Sequence, residues 1–463
     1  MSSRTYFIRT FGCQMNEHDS ERAAGVLETM GYRPAVDAES AELVLFNTCA
    51  VRENADNRLY GQLAQLKPLK LADPQKKVVV GGCLAQKDRG ALAEKAPWVD
   101  VVYGTHNLAD LPRLLAQADS AALPVVEILE QTQVFPSALP ARREVAHHAW
   151  VSISVGCNNT CTFCIVPLLR GPERSRRLGE VVAEARELVA AGVREVTLLG
   201  QNVNSYGRDL VFTHPGEGPR NRTLFAELLH ALGDIEGLER VRFTSPHPKD
   251  FTSDVFAAIR DVPNVCEQLH LPLQSGSDRI LRRMQRSYRS RRYLDLVAEA
   301  RETVPGVAVS TDIIVGFPGE TEQDFADTLR VVELAAFDSA FTFQYSRRPG
   351  TAAVALDGHV DPGVVGERYR RLTALTRSLS LAANARQVGT VQQLLIDGQS
   401  KTDPTRVSGR TRTNRLVHVS AGAATVPGAL VNARMTDASA HYLLGEVTHA
   451  PADPPVPAPA PGR

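Results

Sequence analysis

The sequence predicts an α/β protein in three parts: a doubly wound parallel sheet, then an incomplete barrel of six strand–helix units, then a small closed barrel of five strands. Three patterns predict it. Residues 1–120 alternate β-rich runs with helical stretches, residues 146–374 repeat that alternation six times, and residues 375–447 hold short β runs separated by turn residues.

In the first part, Tyr6 to Arg9, Leu43 to Phe46, Val78 to Val80 and Val99 to Tyr103 predict strands. Helices are predicted near Ser20 to Met30, Asn54 to Leu66 and Asp88 to Lys95. Pro124 to Arg143 holds three prolines and little periodicity, which predicts a linker over 121–145. The second part predicts strands at Trp150 to Val155, Glu195 to Leu199, Arg240 to Thr244, Leu269 to Leu273, Val307 to Val315 and Ala340 to Tyr345. Helices such as Gly179 to Ala191, Tyr293 to Thr303 and Glu322 to Ala335 lie between them, giving a partial, TIM-like (β/α)6 barrel whose site belongs at the strand C-termini. A long amphipathic helix, about Val364 to Gln387, leads out of it. In the third part, Val391 to Ile396, Thr405 to Gly409, Leu416 to Val419, Leu430 to Met435 and Tyr442 to Val447 fit an OB-like barrel. The Pro/Ala-rich segment 448–463 predicts a disordered tail.

Hydrophobic content of 43% and charged content of 22% belong to a soluble globular chain. No apolar run approaches the roughly 20 residues of a membrane helix, and Met1 to Thr10 lacks a signal-peptide core. The expectation is a cytoplasmic protein. Formal net charge is +0, yet seven arginines and no acid fall between Arg279 and Arg292, so local phosphate-binding surfaces remain open to it.

Of seven cysteines, six carry the chemistry. Cys266, isolated beside apolar residues, reads as a small core residue. Cys157-x3-Cys161-x2-Cys164 directly follows a predicted strand. Three thiolates this close can bind three irons of a [4Fe–4S] cluster and leave the fourth open, whereas structural zinc wants a fourth ligand that is missing nearby. Cys13, Cys49 and Cys83 are far apart in sequence, but each follows a predicted strand. Parallel strands end along one edge, so the three should converge there as a second, auxiliary cluster site.

The loop Gly156 to Cys164, with the aromatic Phe163 before its last cysteine, resembles the radical S-adenosylmethionine (SAM) superfamily. That resemblance implies that the open iron chelates SAM and that one electron releases a 5′-deoxyadenosyl radical. Phe163, Gln201 and Asn202, Ile314 and Gly316 fall where relatives contact SAM, although Gly200-Gln201-Asn202 departs from the usual Gly-Gly-Glu. Both cysteine sets, with Phe11 to Asn16, Asn47-Thr48-Cys49 and Gly82-Cys83, make nearly the whole chain resemble the methylthiotransferases, its C-terminal part being similar to their TRAM RNA-binding domain. The contexts Cys49 to Ala55, Thr244 to Pro248 and His270 to Asp278 resemble the branch that acts on N6-isopentenyladenosine at position 37 of tRNA. The resemblance implies two [4Fe–4S] clusters, two SAM per product, a flavodoxin or ferredoxin as electron donor, and a monomer. Gln274 and Ser275 are expected to meet substrate, and Arg406, Arg410, Arg412 and Arg415 to meet RNA phosphates. Two other methylthiotransferase substrates, threonylcarbamoyl-adenosine in tRNA and a ribosomal-protein aspartate, stay open at this point. So does a non-catalytic iron–sulfur RNA-binding module, against which the intact Cys157 loop argues.

Overall fold

The computed structural model describes residues 4–50, 53–131, 134–211, 222–449 and 452–453, with the backbone alone for 53–57. Strands β1 (Thr5–Thr10), β2 (Arg33–Pro34), β3 (Leu43–Thr48), β4 (Lys77–Gly82), β5 (Val101–Tyr103) and β6 (Val125–Glu127) form one parallel sheet in the order β2-β1-β3-β4-β5-β6. Its near-continuous apolar runs, Leu43 to Phe46 and Val78 to Val80, are buried as a sheet covered on both faces requires. Strand order reverses beside β1, so the crevice for a ligand lies at the C-terminal ends of β1, β3 and β4.

Two expectations change here. The predicted linker contains β6, whose Val125 and Val126 extend the sheet by pairing with Val101 and Val102. The predicted Asp88 to Lys95 helix is two helices, Cys83–Asp88 and Gly90–Lys95, broken where Arg89 takes a φ of 49°.

The barrel strands are β7 (His148–Ser152), followed by the antiparallel ribbon β8 (Ser154–Val155) and β9 (Arg174–Ser175), then β10 (Glu195–Leu199), β11 (Arg240–Phe243), β12 (Gln268–His270), β13 (Ala308–Val315) and β14 (Ser339–Gln344). They pair in parallel as β7-β10-β11 and β12-β13-β14, and a Val241–Val265 bridge joins the halves. The six strands thus form an incomplete barrel, open between β7 and β14. Outward residues such as Val151, Leu198, Val241, Val309 and Ile313 pack with the flanking helices into one core. The helix Pro362–Ala385, N-capped by Asp361, runs from the barrel to β15 (Val391–Gln399), β16 (Arg406–Thr411), β17 (Leu416–Ser420), β18 (Leu430–Ala438) and β19 (Leu443–Thr448), which close into a barrel. Past β19, Asp453 hydrogen-bonds Val391 through both its amide and its carboxylate, against the expectation of a tail disordered from residue 448. The rest of that segment, apart from Thr448, His449 and Ala452, lies outside the described residues.

Candidate active site at two sets of cysteines

The Cys157 loop is anchored by its own backbone and by neighbouring main chain. Gly156 has a φ of 84°, and a Cβ there would lie 2.1 Å from the Pro172 carbonyl oxygen, so glycine is required. Thr162 donates to the Arg283 carbonyl through Oγ1 at 2.9 Å and to the Met284 carbonyl through its amide at 3.1 Å. Burial pushes the Cys157 thiol up and the Cys164 thiol to about 11, and the three sulfurs lie near enough to act on one another. Arg286, itself buried, donates from Nη1 to Cys161 Sγ at 3.2 Å and from Nε to the Tyr288 hydroxyl at 3.0 Å. A desolvated guanidinium that spends a donor on sulfur fits a thiolate ligand, and metal binding would displace the buried thiol protons. Among the described residues no three His, Cys, Asp or Glu side chains close around a single metal ion. An iron–sulfur cubane asks for a wider set, because each thiolate takes a different iron.

Beside the loop, Gln201 Oε1 accepts the Gly156 amide while its Nε2 is buried without a partner. Asn202 Nδ2 donates to Asp250 at 2.7 Å, and its Oδ1 is likewise buried and unpartnered. Asn202 lines a cavity of about 160 Å³ with Asn158, Asn159, Glu173, Arg208 and Asp250. One orphaned donor and one orphaned acceptor match the carboxylate and amine of an amino acid. Phe163 and Ile314 meet in one apolar cluster with Phe317 and Tyr345, an arrangement suited to a purine ring.

Gly316 and Ser275 do not fit their expected roles. Gly316, at φ 75°, gives its amide to Glu320 at 2.8 Å, and a Cβ would press within 2.5 Å of Val365; it is needed for a turn and for helix packing. Ser275 is fully buried, its hydroxyl bracing the Ser277 amide and Thr328. Gln274, at φ 67°, continues the parallel ladder by exchanging backbone hydrogen bonds with Asp312 and Ile314.

The barrel lumen offers residues that the sequence reading missed. Register places Trp150, Thr197 and Arg242 on one inner face and His270, Asp312 and Phe341 on the other, with Phe343 opposite Ile314. Phe341 is 58% exposed and Phe343 38%, although both lie on a barrel strand. His270 Nε2 sits 3.2 Å from Asp312 and its ring 6.0 Å from Phe341. The alternation Phe341-x-Phe343 in a predicted strand was the available signal.

The other cysteines sit on the sheet edge. Cys13 begins the helix Gln14–Thr29, Cys49 follows β3 and Cys83 follows β4. Gly12, at φ 134°, brings backbone so close that a Cβ would be 2.7 Å from Cys49 Cβ. Thr48 donates to the Gly81 carbonyl at 2.6 Å, and Asn16 to that of Thr48 at 3.1 Å, lacing the three strand ends together. Burial raises the Cys83 thiol, and Cys13 is near enough to raise it further. Val51 and Arg52, next to Cys49, lie outside the described residues.

A short helix joins the two sets. Val166–Arg170 starts two residues after Cys164, and Ile165 and Leu169 pack against Cys83 and Ala50. Five helical residues span only about 7.5 Å. Sequence separation hid this neighbourhood.

Of the four C-terminal arginines, two are committed to the barrel. Arg412 forks onto Glu267 at 2.7 and 2.9 Å, and Arg415 pairs with Asp338 at 2.5 Å. Arg406 and Arg410 stay half-exposed, loosely facing Asp403 at 3.4 Å and Asp397 at 3.7 Å. From barrel strand β11, Arg240 and Arg242 donate to the main-chain carbonyls of Gln393, Arg410, Thr411 and Arg412.

The incomplete barrel and its three-cysteine loop define a radical SAM enzyme, a class that implies one [4Fe–4S] cluster and SAM, and the pattern of that superfamily matches residues 151–332. Residues 5–104 match an uncharacterized protein family, UPF0004, and residues 385–448 the TRAM domain. The TsrM radical SAM methyltransferase from Kitasatospora setae, solved with cobalamin and a [4Fe–4S] cluster, shares the fold at a TM-score of 0.53 and 15% identity over 76% of this chain and 77% of that one. The tRNA-2-methylthio-N(6)-dimethylallyladenosine synthase of Mycobacterium ulcerans is 58% identical over 96% of this chain and 84% of its own. That of Thermobifida fusca is 57% identical over 96% and 89%. The chain belongs to this family of tRNA methylthiotransferases.

Proposed function

We propose that the protein methylthiolates carbon 2 of N6-isopentenyladenosine at position 37 of tRNA. The observation that carries this reading is the meeting of two three-cysteine sets across the helix Val166–Arg170, above a lumen lined with exposed aromatic rings. Cys157, Cys161 and Cys164 hold the radical cluster, and Cys13, Cys49 and Cys83 hold an auxiliary [4Fe–4S] cluster. Bound there, the first cluster and one SAM would supply the radical that takes the hydrogen from carbon 2, the auxiliary set would supply sulfur, and a second SAM would supply the methyl group. Carbon 2 of adenine carries a hydrogen too weakly acidic for an ordinary base, which is why a radical is wanted.

The chain's own residues do the positioning. Gln201 and Asn202 hold the methionine end of SAM, and Phe163 and Ile314 face its adenine. Phe341 and Phe343 give the prenyl group apolar surface to cover, at about 25 cal/mol per Å². Asp312 on the same wall disfavours the carboxylate of a threonylcarbamoyl group, which would be buried beside a like charge. Arg406 and Arg410 meet tRNA phosphates. The reading implies a flavodoxin or ferredoxin as donor, a monomer as the working unit, and a cytoplasmic location; among the described residues no helix is long and apolar enough to cross a membrane.

The test incubates the reduced enzyme with prenylated, threonylcarbamoylated and unmodified tRNA and identifies nucleosides by mass. Methylthio product on prenylated tRNA is expected. Product on threonylcarbamoylated tRNA alone would overturn the substrate assignment.

A further inference from the structure

Arg170 is a fully buried cation whose partners come from the other domain. It ends the helix Val166–Arg170 of the barrel domain, and its side chain is 6% exposed. Nη2 donates to Asp19 at 2.9 Å, on the helix that starts at Cys13. The same guanidinium is close enough to act electrostatically on the Cys83 thiol and on Cys13. The helix is fixed from both sides: Ile165 and Leu169 pack on Cys83 and Ala50, and Thr105 Oγ1 donates to the Leu169 carbonyl at 2.8 Å. Asp19 has a second neighbour in buried His18, at 3.4 Å, which desolvation keeps neutral. The sheet domain thus supplies three thiols and one carboxylate, while the balancing cation arrives from the barrel.

Electrostatics says what such a cation does. Reducing a [4Fe–4S] cluster adds one negative charge, and cluster potential follows net charge, hydrogen bonds to sulfur and solvent exposure. A guanidinium in a dry seam, where the effective dielectric is far below that of water, favours the reduced form; a carboxylate in the same seam opposes it. We infer that Arg170 and Asp19 are an opposed pair of positioning residues that sets the reduction potential of the cluster held by Cys13, Cys49 and Cys83, the barrel domain contributing the cation. This rests on the two-cluster reading above.

The experiment uses the full chain with Cys157, Cys161 and Cys164 replaced by Ala, so that the auxiliary cluster is the only one observed. That parent, reconstituted anaerobically, is expected to hold about four irons. Its midpoint potential is then read by electron paramagnetic resonance in a redox titration, alone and with Arg170→Met, Arg170→Lys or Asp19→Asn added. Arg170→Met is expected to move the midpoint to more negative potential, Arg170→Lys by less, and Asp19→Asn to more positive potential. Loss of packing cannot produce opposite signs at two residues that touch each other. Equal midpoints throughout, or shifts of the same sign for Arg170→Met and Asp19→Asn, overturn the assignment of charge while leaving the second cluster standing. A parent without iron overturns the second cluster, and this inference with it.

Discussion

The two cysteine sets bring three thiols together in opposite ways. Cys157, Cys161 and Cys164 come from one loop, anchored by Thr162 and by the conformation of Gly156. Cys13, Cys49 and Cys83 come from three strand ends that only the sheet brings together. The first set is a local structure that packing holds in place; the second is a product of topology and exists only when β1, β3 and β4 pair in register. The local site should therefore be the more separable of the two, and the distributed site the more dependent on the whole domain.

The largest expected effect separates their roles. Replacing Cys157, Cys161 and Cys164 with Ala should abolish 5′-deoxyadenosine formation, whereas replacing Cys13, Cys49 and Cys83 should spare it and remove methylthio product. Chromatography with mass detection reads both compounds in one assay, and deoxyadenosine from the first variant would reassign the radical site. Next in size come the glycines. Gly156→Ala meets the Pro172 carbonyl at 2.1 Å and should cost about four irons per chain with the sheet domain undisturbed. Gly12→Ala meets Cys49 and Asn16 and should cost the other four while also lowering the thermal midpoint, because the residues it displaces lace the strand ends. Equal melting temperatures for the two variants would erase the local–distributed contrast.

The smallest effects concern the C-terminal arginines, where closeness in sequence misleads. Arg415→Ala removes the cation paired with Asp338, a carboxylate only 11% exposed that keeps the Val309 amide, and should cost about 3 kcal/mol in a denaturation experiment. Arg406→Ala with Arg410→Ala should leave stability nearly unchanged and reduce the salt dependence of tRNA binding by about one to two in logarithmic slope. A reduced slope for Arg415→Ala instead would return that residue to the RNA surface.

These cases show what a sequence can disclose. Strand ends were readable because apolar runs such as Leu43 to Phe46 and Val78 to Val80 stop at polar residues or glycine just before a cysteine. The Cys157 spacing was readable because its geometry is local. Strand β6 was hidden, since three residues in a proline-bearing stretch carry almost no pattern until Val101 and Val102 stand beside them. Arg412 and Arg415 looked like a phosphate surface because their acids, Glu267 and Asp338, lie 145 and 77 residues away in the chain. Arg170 carries no signal in the sequence, because its meaning depends on Asp19 across 151 residues. The lumen pair Phe341 and Phe343 was written in plain alternation, but periodicity cannot say which face of a barrel strand is hollow.

The grip of Arg240 and Arg242 on the C-terminal barrel has one more consequence. Both reach main-chain carbonyls of Gln393, Arg410, Thr411 and Arg412. A peptide oxygen is present whatever amino acid occupies the position. These bonds persist whatever side chain stands at position 410, whereas Arg412 and Arg415 hold the same joint through ion pairs of their own side chains. Exchange of the Arg410 side chain thus changes the surface of the small barrel without changing the main-chain half of its attachment.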